Sequence, residues 1–271
     1  MGRRLGLKMY QDLSADHRDG IGWIVIDRKD GRNALRPQTL KEICAAVDAM
    51  TADPQVRAIV LASAGKHFSA GADFDFLEEL SRTPGMTIRE HIYAVFQGAA
   101  RRLFHCPKPT VAAVGGAAVT VGCELALACD FRLVSPTVQF QESWIRLGLL
   151  PPLGGLYLLP RMVGLSFASE MVLRGRAVGA EEAVRIGLAS QAVESEAALH
   201  GRAQELALEL AALPPLAYRA AKEAMHRGLD SSMESEWSAN VLGQSLLLGT
   251  DDFKEGLAAV MERRPGRFEG A

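Results

Sequence analysis

An α/β fold followed by a helical tail is what this 271-residue sequence predicts. Three features carry that expectation. β-branched runs of strand length recur through the first two thirds of the chain. The segments between them set apolar residues at helical spacing. Beyond about residue 195 only helical patterns remain. The length suits one large domain with an appendage, so the chain divides into a core over 1–195 and a helical region over 196–271.

The elements follow in order. "IGWIVIDR" (21–28) and "VRAIVLAS" (56–63) are β-branched runs bounded by turn residues, hence strands. Between them Pro37 stands at a helix N1 position, and Leu40, Ile43, Cys44 and Val47 share one helical face. In 87–106 the apolar positions 88, 92, 95, 96, 99 and 103 predict one helix. "PTVAAV" (109–114) and "FRLVS" (131–135) are two more strands, with a small-residue loop and a helix between them. Residues 165–173 and 180–190 predict helices, the second stopped by Gly187, and "QAVE" a last short strand. Three helical stretches follow through residue 248, amphipathic and unable to bury their apolar faces alone. They must pack on the core or on another subunit.

Composition excludes several classes. With 48% hydrophobic and 23% charged residues this is an ordinary globular chain. A net charge of −2 gives no general attraction to nucleic acid or an anionic membrane, so neither is expected as a partner. No apolar run of about 18 residues is present to span a bilayer. Cys44, Cys106, Cys123 and Cys129 lack metal-like pairing and sit among apolar neighbours, which suits free thiols in a cytoplasmic setting. The six histidines show no ligand spacing, so no metal is expected. His67, beside the 67–73 loop, and His91, in the 87–106 helix, are lesser acid/base candidates, with a solvated or capped histidine the favoured reading for both.

One stretch stands apart. "AVTVGCELALACD" (118–130) runs from a small-residue loop into an apolar helix interrupted by a single charge, Glu124. A buried carboxylate is costly unless it is paired or functionally employed. The loop "GGAAVTVG" enters a helix N-terminus, where free backbone N–H groups suit an anion. "HFSAGAD" (67–73) leaves the second strand in the same way. Two such loops at the same end of adjacent strands can each aim one N–H at a single carbonyl oxygen, which is the logic of an oxyanion hole.

At this point the sequence resembles a known family. "HFSAGADF", "PKPTVAAVGGAAVTVGCELALACDFRLVS", "LGLLPPLGGLYLLPRMVG" and "DDFKEGLAAVMERR" are similar, in order and spacing, to the crotonase superfamily typified by enoyl-CoA hydratase. The resemblance covers nearly the whole chain. It implies a spiral of ββα turns, a C-terminal helical trimerisation region, and a homo-trimer or dimer of trimers. The substrate it implies is a coenzyme A thioester, with no separate cofactor. The oxyanion donors would be the backbone N–H groups of Ala72 and Val121. At Val121 the family usually has glycine, so a β-branched residue stands beside the ligand. Arg28 and Arg32 fall where the family binds the nucleotide, with Lys29 read as a solvated surface charge. Arg263 falls where a neighbouring subunit reaches the same phosphates, and Ala70 where the adenine amine is met. Phe76, Leu77, the 88–104 helix and Trp144 would shape the acyl pocket. Asp73 belongs to the same substrate-side group, although it and Asp75 also suit capping of the next helix.

Glu124 matches the first of the family's two catalytic glutamates. The second is due twenty residues later, and there the chain has Trp144. An indole has no acid–base proton to exchange. Glu142, two residues earlier, is a lesser candidate, because "F-x-x-x-W-I-x-L-G" aligns without gaps. Trp144 is either a core aromatic or a wall against an aryl or alicyclic acyl group. The aspartate nucleophile of the family's aryl dehalogenases is replaced by Pro152.

The resulting expectation is an acyl-CoA enzyme that stabilises a thioester enolate, best labelled an enoyl-CoA hydratase or dehydratase with one glutamate. Isomerisation, decarboxylation, and thioester or C–C hydrolysis are the alternatives within the family, and a non-catalytic acyl-CoA binder is the alternative outside catalysis. A dinucleotide-binding oxidoreductase is set aside: "GGAAVTVG" is not G-x-G-x-x-G, and no acidic residue ends the next strand.

Overall fold

Pairing of the β-branched segments organises the chain. The computed structural model describes residues 10–29 and 32–271, apart from the side chains of residues 91 and 93. The first two strands, β1 (Leu13–Arg18) and β2 (Ile21–Ile26), form an antiparallel hairpin. Its turn residues Asp19 (φ 52°) and Gly20 (φ 77°) both have left-handed backbones, which two-residue hairpins favour. Next come α1 (Pro37–Ala52), with its proline in the first turn, and β3 (Ala58–Ser63), parallel to β2.

The segment expected as one helix over 87–106 is broken up. After α2 (Phe74–Ser81) the chain forms α3 (Gly85–His91), a wide π turn over Ile92–Phe96, and α4 (Gln97–Phe104). The extra residue in a π turn re-phases the apolar stripe. It brings Val95, Phe96, Ala99, Ala100 and Leu103 to the core.

Then follow β4 (Thr110–Val114), β5 (Ala117–Val119), α5 (Val121–Leu127), β6 (Phe131–Val134) and β7 (Gln139–Gln141). A short 3₁₀ turn at Ser143–Leu147 leads to α6 (Gly155–Arg174), β8 (Ala177–Gly179), α7 (Ala180–Arg185) and β9 (Gln191–Ala192). Gly164 (φ 76°, ψ 158°) divides α6, so its twenty residues are not one continuous helix. The main sheet runs β1-β2-β3-β4-β6-β9, and a second, smaller sheet runs β5-β7-β8. Successive passes of the chain therefore add a parallel strand to the main sheet and a short one beside it, with helices between. This is a mixed α/β spiral.

Side chains alternate across the main sheet. Ile24, Ile26, Ile59, Leu61, Ala112 and Val114 face Leu40, Ile43 and Met50 of α1 and Leu103 of α4. Trp23, Val60, Val111 and Leu133 face the opposite way, onto Leu199, Ala203, Ala207 and Leu210 of α8 (Ala198–Ala211). Although α8 lies beyond residue 195, it closes the second face of the sheet. The remaining helices are α9 (Pro215–Gly228), α10 (Met233–Leu247) and α11 (Asp251–Glu262). Lys222 of α9, nearly buried, pairs with Asp130 at 2.8 Å and ties that helix to the core. By contrast α10 has no buried residue, and Trp237, Val241 and Leu246 are 62–70% exposed.

Candidate active site

Two loops meet at one end of the sheet. The loop after β3 is zipped to the loop before α5 by backbone hydrogen bonds: Phe68 N–H to Gly115 O (2.8 Å), Ser69 N–H to Ala117 O (2.8 Å), and Val119 N–H to Ser69 O (3.0 Å). Buried Asn33 braces the first loop, donating from Nδ2 to Ala64 O and His67 O. His67 Nδ1 accepts from Ala117 N–H at 3.1 Å, so this histidine joins the two loops. Gly71 (φ 100°) is required at the contact, because a Cβ there would lie 2.2 Å from Thr120 Oγ1. The side chain of His91 lies outside the described residues.

Ala72 and Val121, both buried, follow this contact on the two loops. Ala72 N–H reaches Thr120 Oγ1 at a long 3.4 Å. Thr120 itself has φ 46° and ψ −112°, a backbone conformation normally left to glycine. Such strain costs on the order of 1–3 kcal/mol and collects at functional sites. It turns the chain so that Val121 opens α5.

Glu124 lies in the first turn of α5 and is 1% exposed. Its Oε1 accepts from Leu153 N–H at 2.8 Å and Gly155 N–H at 2.9 Å. Its Oε2 accepts from the indole Nε1–H of Trp144 at 3.3 Å. Burial pushes the carboxyl up to about 7, and these donors, which favour the charged form, restrain the rise. A Cβ at Gly155 would come within 3.1 Å of Glu124 Oε1, so a side chain there would press on the carboxyl. A carboxyl balanced near neutrality can both take and return a proton.

Glu142 sits differently. It is fully buried, and neither carboxyl oxygen has a hydrogen-bond partner among the described residues. Its neighbours are the Cys123 thiol and Glu124. Burial first, then the Glu124 charge, raise its proton affinity well above that of an ordinary carboxyl. The Cys123 thiol is likewise pushed far up by burial and by Glu142.

The other expected residues are scattered over several elements. Asp73 caps α2, accepting from Phe76 N–H at 3.2 Å, and pairs with Arg28 at 2.7 Å. Burial raises the Asp73 carboxyl, but the Arg28 hydrogen bond and the Phe76 N–H outweigh it and hold it below the usual range. The Arg28 guanidinium also donates to Ala34 O, while Lys29 is exposed beside Asp27. Arg32 is exposed, and its carbonyl accepts from Ala70 N–H at 2.9 Å. Phe76 stacks on Phe96 with ring centroids 5.2 Å apart, and Leu77 packs on the same core. Arg263 stands exposed at the end of α11 (φ 54°), on the C-terminal helices rather than on the elements that carry Glu124.

The structure thus brings Glu124, Trp144 and Glu142 into one neighbourhood, with Val121 at the start of the same helix as Glu124 and Ala72 reaching the preceding Thr120. Sequence reasoning missed the Leu153 and Gly155 amides and the Thr120 turn. "PPLGG" before an apolar helix was the available signal, since such a junction presents free N–H groups.

Comparison with known proteins identifies the family. A family model described as enoyl-CoA hydratase/isomerase matches residues 16–271. A crotonyl-CoA hydratase of Syntrophomonas wolfei is 34% identical over 260 residues, covering 96% of this chain and 98% of the relative. A short-chain-enoyl-CoA hydratase of Clostridium acetobutylicum is 33% identical, covering 92% and 94%. Among solved structures, an enoyl-CoA hydratase from Bacillus anthracis superposes with a TM-score of 0.88 at 29% identity, covering 96% of this chain and all of that one.

Proposed function

Because the chain belongs to the enoyl-CoA hydratase/isomerase family, we propose that it hydrates a 2-enoyl-CoA, or dehydrates the product, with Glu124 as its single proton carrier. The observation that carries this reading is the buried Glu124 carboxyl, balanced near neutrality, held by main-chain amides and the Trp144 indole, in the first turn of the helix that Val121 opens. The thioester oxygen accepts from the N–H groups of Ala72 and Val121. Glu124 takes a proton from water as the hydroxyl oxygen bonds to the β-carbon. The π electrons of the double bond move to the carbonyl oxygen, giving an enolate that the two amides stabilise. Glu124 then returns the proton to the α-carbon, so water has added and the carboxylate is restored.

Phe76, Leu77 and Trp144 wall the acyl group, and Arg32, Ala70 and a neighbour's Arg263 meet the nucleotide. Arg28 must share its guanidinium with Asp73 to join them. The exposed apolar residues of α10 support the trimer or dimer of trimers as the working assembly. The four cysteines, all free, suit a cytoplasmic setting.

A second reading, double-bond isomerisation, draws on the Trp144–Glu124 hydrogen bond, because one carboxylate suffices to move a proton between two carbons. The test is loss of conjugated enoyl-thioester absorbance with crotonyl-CoA and with longer or cyclic 2-enoyl-CoAs. We expect turnover with at least one, abolished in Glu124→Gln. Conjugation gained from a 3-enoyl-CoA, with no loss from any 2-enoyl-CoA, would replace hydration by isomerisation. Inertness toward both would sink hydration and isomerisation and leave decarboxylation, thioester or C–C hydrolysis, or acyl-CoA binding without turnover.

A further inference from the structure

Main-chain amides, Gly154 among them, and one side chain donate to the Glu124 carboxyl, and the main-chain and side-chain donors fall on different oxygens where the bonds are well formed. Oε1 takes two, the Leu153 and Gly155 amides, whereas Oε2 takes one, the Trp144 indole. A carboxylate offers about four lone-pair directions. Oε1 is held by main-chain donors, and the indole is the side-chain donor on Oε2.

We propose that Trp144 is a positioning residue for the proton carrier: its indole N–H holds Glu124 Oε2 and favours the charged carboxylate that takes the proton. This rests on Glu124 being that carrier, as proposed above. The indole is a donor only and moves no proton itself. Its ring is 3% exposed and twenty residues from Glu124 in the chain, so the contact is made by the fold and not by local geometry. The other donors are main-chain amides. Trp144 is thus the one side chain through which a substitution can alter this hydrogen bonding without altering the backbone.

Loss of the indole donor has a defined sign. An N–H donated to a carboxylate favours its charged form, so its removal raises the proton affinity of Glu124. It also releases the Oε2 lone pair that the indole holds. The titratable groups near Glu124 are Glu142 and Cys123, both pushed toward their neutral forms by burial.

The test replaces Trp144 with 3-benzothienylalanine, which keeps the two-ring shape but has sulfur where the N–H was. Trp144→Phe serves as a second variant. The Glu124 carboxylate is titrated in the ligand-free protein by infrared difference against Glu124→Gln. In parallel, the acid limb of the kcat/KM profile is recorded with whichever enoyl-CoA is turned over. We expect both the titration and the acid limb to move up by about one pH unit, consistent with the loss of one hydrogen bond to a charged group. On the acid side this is about a tenfold fall in kcat/KM. A merely space-filling Trp144 would leave both unchanged in the isosteric protein, and that result overturns the proposal. If Glu124→Gln keeps its turnover, the functional reading fails instead, while the titration still decides whether Trp144 sets the carboxyl.

Discussion

Glu124→Gln should remove one component of the pH dependence of stability, and the size of that component follows from the site. The Glu124 carboxyl titrates at about 7 in the folded protein, against an ordinary value of 4.5. The folded state therefore holds its proton more tightly than the unfolded chain does. Stability from this group is fully present below about pH 4.5 and is lost as pH rises through about 7. Each pH unit of that interval is worth about 1.4 kcal/mol, so the whole interval is about 3 kcal/mol. Glutamine keeps an acceptor for the Leu153 and Gly155 amides but turns its NH₂ toward the Trp144 N–H. That donor–donor clash adds a cost that does not depend on pH. The assay is urea unfolding of both proteins from pH 4 to pH 8 at one protein concentration, since assembly shifts apparent stability. The variant should gain on the parent by about 3 kcal/mol across that range. A stability difference that stays flat with pH would refute the reasoning.

Other outcomes follow from neighbouring residues. Ala72→Pro removes one loop N–H while sparing the Gly71 and Asp73 backbone bonds to Leu35, and turnover should fall about 100- to 1000-fold; unchanged kcat would remove Ala72 from the oxyanion site. Thr120→Gly relieves the backbone at φ 46° and should raise stability by about 1 kcal/mol in chemical denaturation. Glu142→Gln replaces a partnerless acid whose proton affinity is raised by burial, so it should stabilise the protein increasingly above about pH 4.5; thermal melts at pH 5 and pH 8 show whether the gain grows.

Much of the scaffold was legible because β-branched runs and helical spacing are strong signals. The parallel strands β2, β3, β4 and β6 and the Pro37 start of α1 all follow from them. The first strand was not read, because "LSADHR" is an edge strand with polar residues on its outer face. Its Asp19–Gly20 turn was nevertheless a hairpin signal in plain view. Strands of three residues, such as β5, β7 and β8, are too short to show a period. The loop pair and Glu124 stood out as small residues and one charge in an apolar run. The partners of that charge did not, because backbone amides from Leu153 and Gly155 carry no side-chain signature. The twenty-residue interval marked Trp144 as the departure from the family pattern, but only the fold reveals that its N–H meets the Glu124 carboxylate. Asp73 was visible both as a cap and as a substrate-side group; the pairing with Arg28 joins residues 45 apart in sequence, beyond any local pattern.

The central claim is that one carboxylate performs both proton steps, and hydration of crotonyl-CoA in heavy water tests it most directly. If Glu124 takes the proton from water and delivers it, the α-carbon deuterium and the β-hydroxyl must arrive on the same face. NMR of the product should show that single stereoisomer. Deuterium on the opposite face, or on both, would mean that a second carrier delivers the proton and would contradict the account.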